Sequence, residues 1–297
     1  RKRGVAVGLA VMGPIIGSPF VILNTSLEDA FGWRAVLFGY GVLILVGCSA
    51  LSLLARDRPE PYGLRPDGDP PEAETGTAEE AAARAAKRRA GTGWTLREVL
   101  RMREFWVLTA FLAGMFVVNS AFQFHQIPYF EQDKGFSSAQ AATTLTLVFF
   151  ASGFGRLGSG FLLDKLDYRL VLAVVSTMMG GAFLYVQLAP VHAIHQALPF
   201  VVLFGVGFGS MIPLRGALGG QLFGTRAIGS VVGLLQGGAV AAGVIGPIFM
   251  GIVFDLRGDY TLAIWVLVAV SAVMAPVAFI MRSPAALARQ RAESGRF

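Results

Sequence analysis

The sequence predicts an all-α membrane protein with eight transmembrane helices. The first observation is composition: 54% of the 297 residues are hydrophobic, 15% are charged, and the mean hydropathy is +0.61. The second is patterning. Residues 4–27, 35–55, 105–130, 170–191, 227–254 and 260–281 contain no Lys, Arg, Asp or Glu, and residues 136–163 and 197–223 contain one arginine each. Each run reaches the ~20 residues that cross a hydrocarbon core. The third is charge placement. With the N-terminus inside and the helices alternating, only Arg34, Lys134 and Arg257 of the 25 Lys and Arg fall in outer loops. This positive-inside bias places both ends of the chain in the cytoplasm. It also gives the net charge of +6 and the pI of about 9.8 a membrane explanation, so no nucleic-acid partner is implied.

The elements follow in order. Residues 4–27 form a Gly-rich helix around Gly13-Pro14-Ile15 and Gly17, and 35–55 a second helix beyond a short outer loop. The single cysteine, Cys48, lies in that second run, where it reads as a small buried hydrophobe. One cysteine excludes a disulfide within the chain and suggests no metal cluster. Residues 56–103 break the hydrophobic pattern with Pro, Gly and 19 of the 44 charged residues. Their first half reads as disordered linker, and 78–89 as a short helix solvated on all faces. Thr95-Leu-Arg-Glu98 matches a capping box, with Trp94 and Trp106 placed for an interfacial belt. Six more runs complete the set. The organisation is therefore 1–55 as two helices of one bundle, 56–103 as a cytoplasmic loop, 104–282 as a six-helix bundle, and 283–297 as a cytoplasmic tail.

An internal repeat crosses the divide. VMGPIIG at 11–17 matches VIGPIFMG at 244–251, each in a helix running outward from the cytoplasm. Duplicated bundles related by an axis along the membrane normal produce such a match. We assign Gly13, Pro14, Gly17, Gly246 and Pro247 to helix packing. Small residues four apart, as in Gly205/Gly209 and Gly216/Gly220, let helix backbones approach closely.

The chemistry concentrates in two intramembrane arginines, Arg156 and Arg215. A charge at that depth costs roughly 2.5 kcal/mol or more, so it faces a cavity, an ion or a partner. Guanidinium is a planar fork of donors suited to a carboxylate. The pattern predicts an anion site built on Arg156, with Asn119, Gln123, Gln236 and Arg215 as polar help. Arg215 is also placed to snorkel or to gate. His125, near Asn119, Gln123 and Gln126, is either a proton carrier or a satisfied polar contact at the outer mouth. His192 and His195 have no third ligand beside them, so no metal site is expected. No His-Glu-x-x-His, Gly-x-Ser-x-Gly or phosphate-binding Gly-x-x-x-x-Gly-Lys occurs. Those absences argue against an enzyme and a nucleotide-driven pump, and no cofactor is implied. No filter sequence or charge ring suggests a channel.

Residues 149–170 read FFASGFGRLGSGFLLDKLDYRL. Gly160-x-x-x-Asp164-Lys165-x-x-x-Arg169 within it resembles the cytoplasmic loop signature of the major facilitator superfamily. Leu-Asp-Tyr at 166–168 replaces the signature's x-Gly-Arg step. His125-Gln-Ile-Pro128 with Gly135-Phe-Ser137, Arg156 eight residues before Asp164, Gly32-Trp-Arg34 and Gly243-x-x-Gly-Pro247 resemble the monocarboxylate and oxalate/formate branch. The resemblance implies a secondary transporter of small organic anions working by alternating access. Its partners would be the anion, the bilayer, and protons or a counter-anion. It implies that the chain holds family helices five to twelve, preceded by four more, in a plasma or inner membrane. It also implies that Arg156 contacts the substrate carboxylate. Ser152 stands where proton-coupled carriers carry an aspartate, and Ala239 where oxalate/formate exchangers carry a lysine. That favours monoanions and leaves proton coupling open. An exporter of other small molecules and a solute sensor that transports nothing are the alternatives.

Overall fold

The computed structural model describes residues 20–54 and 93–294, with Gly13 and Gly17 as isolated positions. They fall in two compact units.

The first unit is helical throughout its described part. Helix α1 (Phe20–Leu43) passes through a π-helical turn (Ile44–Cys48) into α2 (Ser49–Leu54). Gly32 interrupts α1 with φ 74° and ψ 151°, a conformation that glycine adopts without steric cost. The break falls between the first two hydrophobic runs. Beside it the Arg34 guanidinium lies 4.4 Å from the centre of the Trp33 ring. Ala30–Leu53 is apolar enough to span a membrane, and only 6% of its apolar 18-residue stretch is buried. Cys48 is therefore exposed, not buried as the sequence suggested. The side chains around it, Leu43, Ile44, Leu45 and Leu51, form an exposed apolar surface of the kind that lipid solvates.

The second unit begins with a surface segment. Trp94 N donates to Phe223 O at 3.1 Å, and Gly93 and Gly224 form an isolated antiparallel bridge. The short helix α3 (Leu96–Val99) starts as its sequence predicts, with Thr95 N donating to the Glu98 carboxylate at 2.9 Å. Trp106 is exposed and its Nε1 donates to Leu100 O.

Six spanning segments follow: α4 (Arg103–Gln132), α5 (Ser138–Lys165), α6 (Tyr168–Leu188), α7 (Ile194–Phe223), α8 (Ile228–Gly243) continued by α9 (Ile245–Arg257), and α10 (Thr261–Val277) with a 3₁₀ turn (Ala278–Ile280). With α1, seven helices among the described residues are long and apolar enough to cross a membrane. The eighth predicted run, 4–27, lies largely outside the described residues, as do the linker and the helix expected at 78–89. Residues Pro284–Ser294, read from the sequence as a tail, form helix α11, whose Leu287 is buried in the core.

Helix α5 packs along α7, α6 against α10 and α7, and α4 against α8, α9 and α10. Apolar burial drives little association in lipid, so close contact and hydrogen bonds hold the bundle. Phe122, Phe183, Phe200 and Phe204 interlock, with Phe122 5.1 to 5.4 Å from the other three ring centres. Serine hydroxyls reach across to backbone carbonyls. Ser176 Oγ donates to Ser271 O at 2.6 Å, and Ser210 Oγ to Gly155 O at 3.2 Å.

One end of the bundle is tied by Glu104, which is 1% exposed and lies 3.3 Å from Arg282 Nε, while the Tyr168 hydroxyl donates to Arg282 O. At the other end Lys134 Nζ donates to Val186 O, and Tyr260 N to the Asp133 carboxylate.

Candidate functional site

The α5–α7 contact sets the position of Arg156. A Cβ at Gly205 would stand 2.7 Å from Val148 O, a Cβ at Gly209 would collide with Ser152 O, and Gly155 abuts Val206 and Ser210. Positions rise together along both helices, so α5 and α7 run parallel with their backbones nearly touching. Extended by one turn, this register sets Arg156 against Pro213. Arg215 follows two residues later, roughly 3 Å along the axis at 1.5 Å per residue. The two arginine-bearing backbones thus meet the apolar layer at one depth. Arg156 is 1% exposed and is the largest fully buried side chain among the described residues; Ser152, one turn before it, is completely buried.

Arg215 is half-buried, and its guanidinium donates to Gln236 Oε1 on α8. Its Cζ lies 5.9 Å from the Phe116 ring on α4. Three helices therefore converge on Arg215, and of the predicted site residues Gln236 is joined to it.

The polar residues of α4 divide between faces. Asn119 and Gln126 are buried on the stripe that carries Phe122 and Tyr129. Gln126 Nε2 reaches Thr144 Oγ1 of α5 at 3.5 Å. Asn119 Oδ1 and Gln126 Oε1 have no hydrogen-bond partner among the described residues. Gln123 is half-buried. His125 turns toward α9 and α10, with Nδ1 3.1 Å from the Tyr260 hydroxyl and Nε2 3.1 Å from Pro247 O. Sequence spacing gave no signal for these partners, which lie more than 120 residues away in the chain.

The loop signature occupies the α5–α6 turn. Gly160 is buried, and Asp164 and Lys165 are exposed, Lys165 Nζ lying 4.2 Å from the Phe161 ring centre. The start of the chain, the expected neighbour of Asp164, lies outside the described residues, as does Pro14. Nothing described lies within 4 Å of a Cβ built at Gly13 or Gly17, whereas Gly246 sits against α4. The departure at 166–168 has a local consequence. Asp167 caps α6 by accepting from Arg169 N at 2.9 Å, and it also holds the Arg169 side chain at 2.8 Å. Burial pushes the Asp167 carboxyl up, but the hydrogen bonds and charge of Arg169 outweigh it, leaving the group below its ordinary range.

At the opposite end, burial raises the Asp133 carboxyl above its usual range despite the Tyr260 amide and Lys134. Burial also lowers the Lys134 ammonium. Tyr260 is raised, first by burial and then by the Asp133 charge. His192 and His195 are exposed.

Apolar helices of spanning length, joined through glycine contacts and buried cations, define a multi-pass integral membrane protein. The chain belongs to the Major Facilitator Superfamily, whose family model matches residues 1–237. It is thus a member of a transporter family and not an enzyme. MFS transporter asaE of Aspergillus flavus is 24% identical over 266 residues, 88% of this chain and 54% of the relative. Monocarboxylate transporter 2 of Rattus norvegicus is 25% identical over 275 residues, 88% of this chain and 53% of the relative. The chain spans about half the length of these curated relatives. Among solved structures, the Major Facilitator Superfamily transporter FucP in its outward conformation superposes with a TM-score of 0.53. That match covers 80% of this chain and 52% of the other at 18% identity, a likeness of fold alone.

Proposed function

We propose that this chain forms part of a secondary active transporter that moves small organic anions, monocarboxylates foremost, by alternating access. The observation that carries the reading is Arg156, a cation buried within an apolar spanning helix at the depth of Arg215. Such a charge is retained where it faces the bundle interior, a cavity or a polar partner, and the planar guanidinium fork matches a carboxylate. The distant similarity to monocarboxylate transporters supports the same class of solute. Arg215, steadied by Gln236, supplies a second positive field, and Asn119 and Gln123 are the polar candidates on α4. In this reading both ends of the chain face the cytoplasm, and the membrane is the plasma or inner membrane.

The similarity to MFS transporter asaE, whose name specifies no carboxylate, leaves room for a second reading, export of other small molecules. The test is an uptake screen on the full-length protein in proteoliposomes, comparing formate, acetate, lactate, pyruvate and oxalate with neutral and cationic solutes of the same size. Monocarboxylate uptake above protein-free vesicles supports the proposal. Movement of neutral or cationic solutes alone refutes it in favour of the second reading.

A further inference from the structure

The span made of α8 and α9 has a gap in its hydrogen-bond ladder. Pro247 has no N–H, so the carbonyl four residues earlier, that of Gly243, loses its helical donor. An unsatisfied carbonyl is expensive inside a membrane. Helix α8 ends at Gly243 and α9 begins at Ile245, yet Val244 between them keeps helical angles, φ −62° and ψ −30°. The discontinuity is therefore a missing bond and not a reversal of the chain.

Helix α4 fills the gap. Ser120 Oγ donates to Gly243 O at 2.7 Å. Val117 O, in the hydroxyl's own helix, lies 3.2 Å away as an alternative acceptor. The approach needs glycine on the facing side. A Cβ at Gly246 would stand 2.5 Å from Val117 O and 2.8 Å from Ala121 N, and one at Gly243 would strike the Phe116 ring. One turn further along α4, His125 Nε2 meets Pro247 O at 3.1 Å. A carbonyl only accepts, so Nε2 carries the proton. In the neutral ring Nδ1 then accepts from the Tyr260 hydroxyl at 3.1 Å.

We propose that Ser120 and His125 are positioning residues that make the Pro247 break a hinge owned by α4. Ser120 replaces the donor that proline lacks at the end of α8, and His125 holds the first turn of α9, so the break is clamped to α4 on both sides and opens where the Ser120 bond is released. Val117 O is a second acceptor within reach, so opening leaves the Gly243 carbonyl, and not the Ser120 hydroxyl, without a partner. This inference concerns the movement of the span and stands whatever solute the site accepts.

The test is a double-mutant cycle on the full-length protein in lipid, read by melting temperature and by amide hydrogen exchange across 243–251. Ser120→Ala leaves the Gly243 carbonyl without a donor. It should lower the melting temperature by roughly 2–8 °C and speed local exchange several-fold. Pro247→Ala restores a backbone donor to that carbonyl. The double variant should therefore recover the melting temperature, and its exchange across 243–251 should fall below that of the wild type. If Ser120→Ala fails to accumulate, accumulation of the double variant is the same rescue. Additive losses in the double variant, or unchanged exchange in Ser120→Ala, would overturn the proposal.

Discussion

The parallel contact between α5 and α7 makes a graded prediction about the helices that carry both arginines. Gly205→Ala adds one methyl group, whose carbon would sit 2.7 Å from both Val148 O and Ala151 Cβ. Real Cβ atoms essentially never come within 3.0 Å of a neighbour, and ordinary contact begins at 3.4 Å, so the helices must part by about 0.7 Å. Val148 O is backbone and Ala151 has one carbon to give, so no flexible side chain absorbs the shift. Overpacking of this kind costs about 1–3 kcal/mol, offset in part by the better helix propensity of alanine, worth up to about 1 kcal/mol. The full-length protein in detergent should melt roughly 2–8 °C lower. Gly209→Ala should cost more, because its methyl collides with the Ser152 carbonyl itself, the turn that precedes Arg156. Gly181→Ala, with no described neighbour within 4 Å, should melt at or above the wild-type temperature. Equal melting temperatures for Gly205→Ala, Gly209→Ala and Gly181→Ala would refute the close register, and with it the common depth of Arg156 and Arg215.

Two further predictions concern the ends of the bundle. The folded-state pKa of Asp133 lies above its unfolded value, so this carboxylate works against folding once ionised, and stability falls as pH rises from the ordinary carboxylate range through the raised value. Asp133→Asn still accepts from Tyr260 N and should flatten the melting-temperature profile in that window; an unchanged slope would count against the assignment. Arg282→Ala should cost about 1–3 kcal/mol by leaving the buried Glu104 carboxylate without its partner, less than a fully buried pair because the Arg282 side chain is 44% exposed. Adding Glu104→Gln should recover most of that melting temperature, and failure to recover would show that Arg282 acts elsewhere.

Much of the bundle was legible in the sequence because a spanning helix writes itself in one dimension. Each apolar run between 105 and 281 became helical within a few residues of its predicted ends, and the capping box at Thr95 and Glu98 began a turn where its spacing said it would. The break at Pro247 splits one predicted helix into α8 and α9, since proline marks where a donor is missing but not which neighbour supplies another. The exposure of Cys48 was misread because apolar character in a membrane helix does not separate a core face from a lipid face. Arg156 and Arg215 stood out as charges in uncharged runs. Their shared depth did not, because it depends on which glycines of α5 and α7 meet. The bonds of His125 to Pro247 and Tyr260 and of Ser120 to Gly243 were equally hidden, being fixed by the rotation of α4 against helices far along the chain.

The most direct test of the anion-site account is carboxylate counterflow by the reconstituted full-length protein carrying Arg156→Lys or Arg156→Ala, each matched to wild type for amount and melting temperature. The lysine keeps the charge but loses the planar fork, so transport of the monocarboxylate identified by the uptake screen should fall by roughly 10- to 100-fold. The alanine should abolish it while leaving the protein folded in the membrane. Wild-type counterflow from a well-folded Arg156→Ala protein would contradict the account.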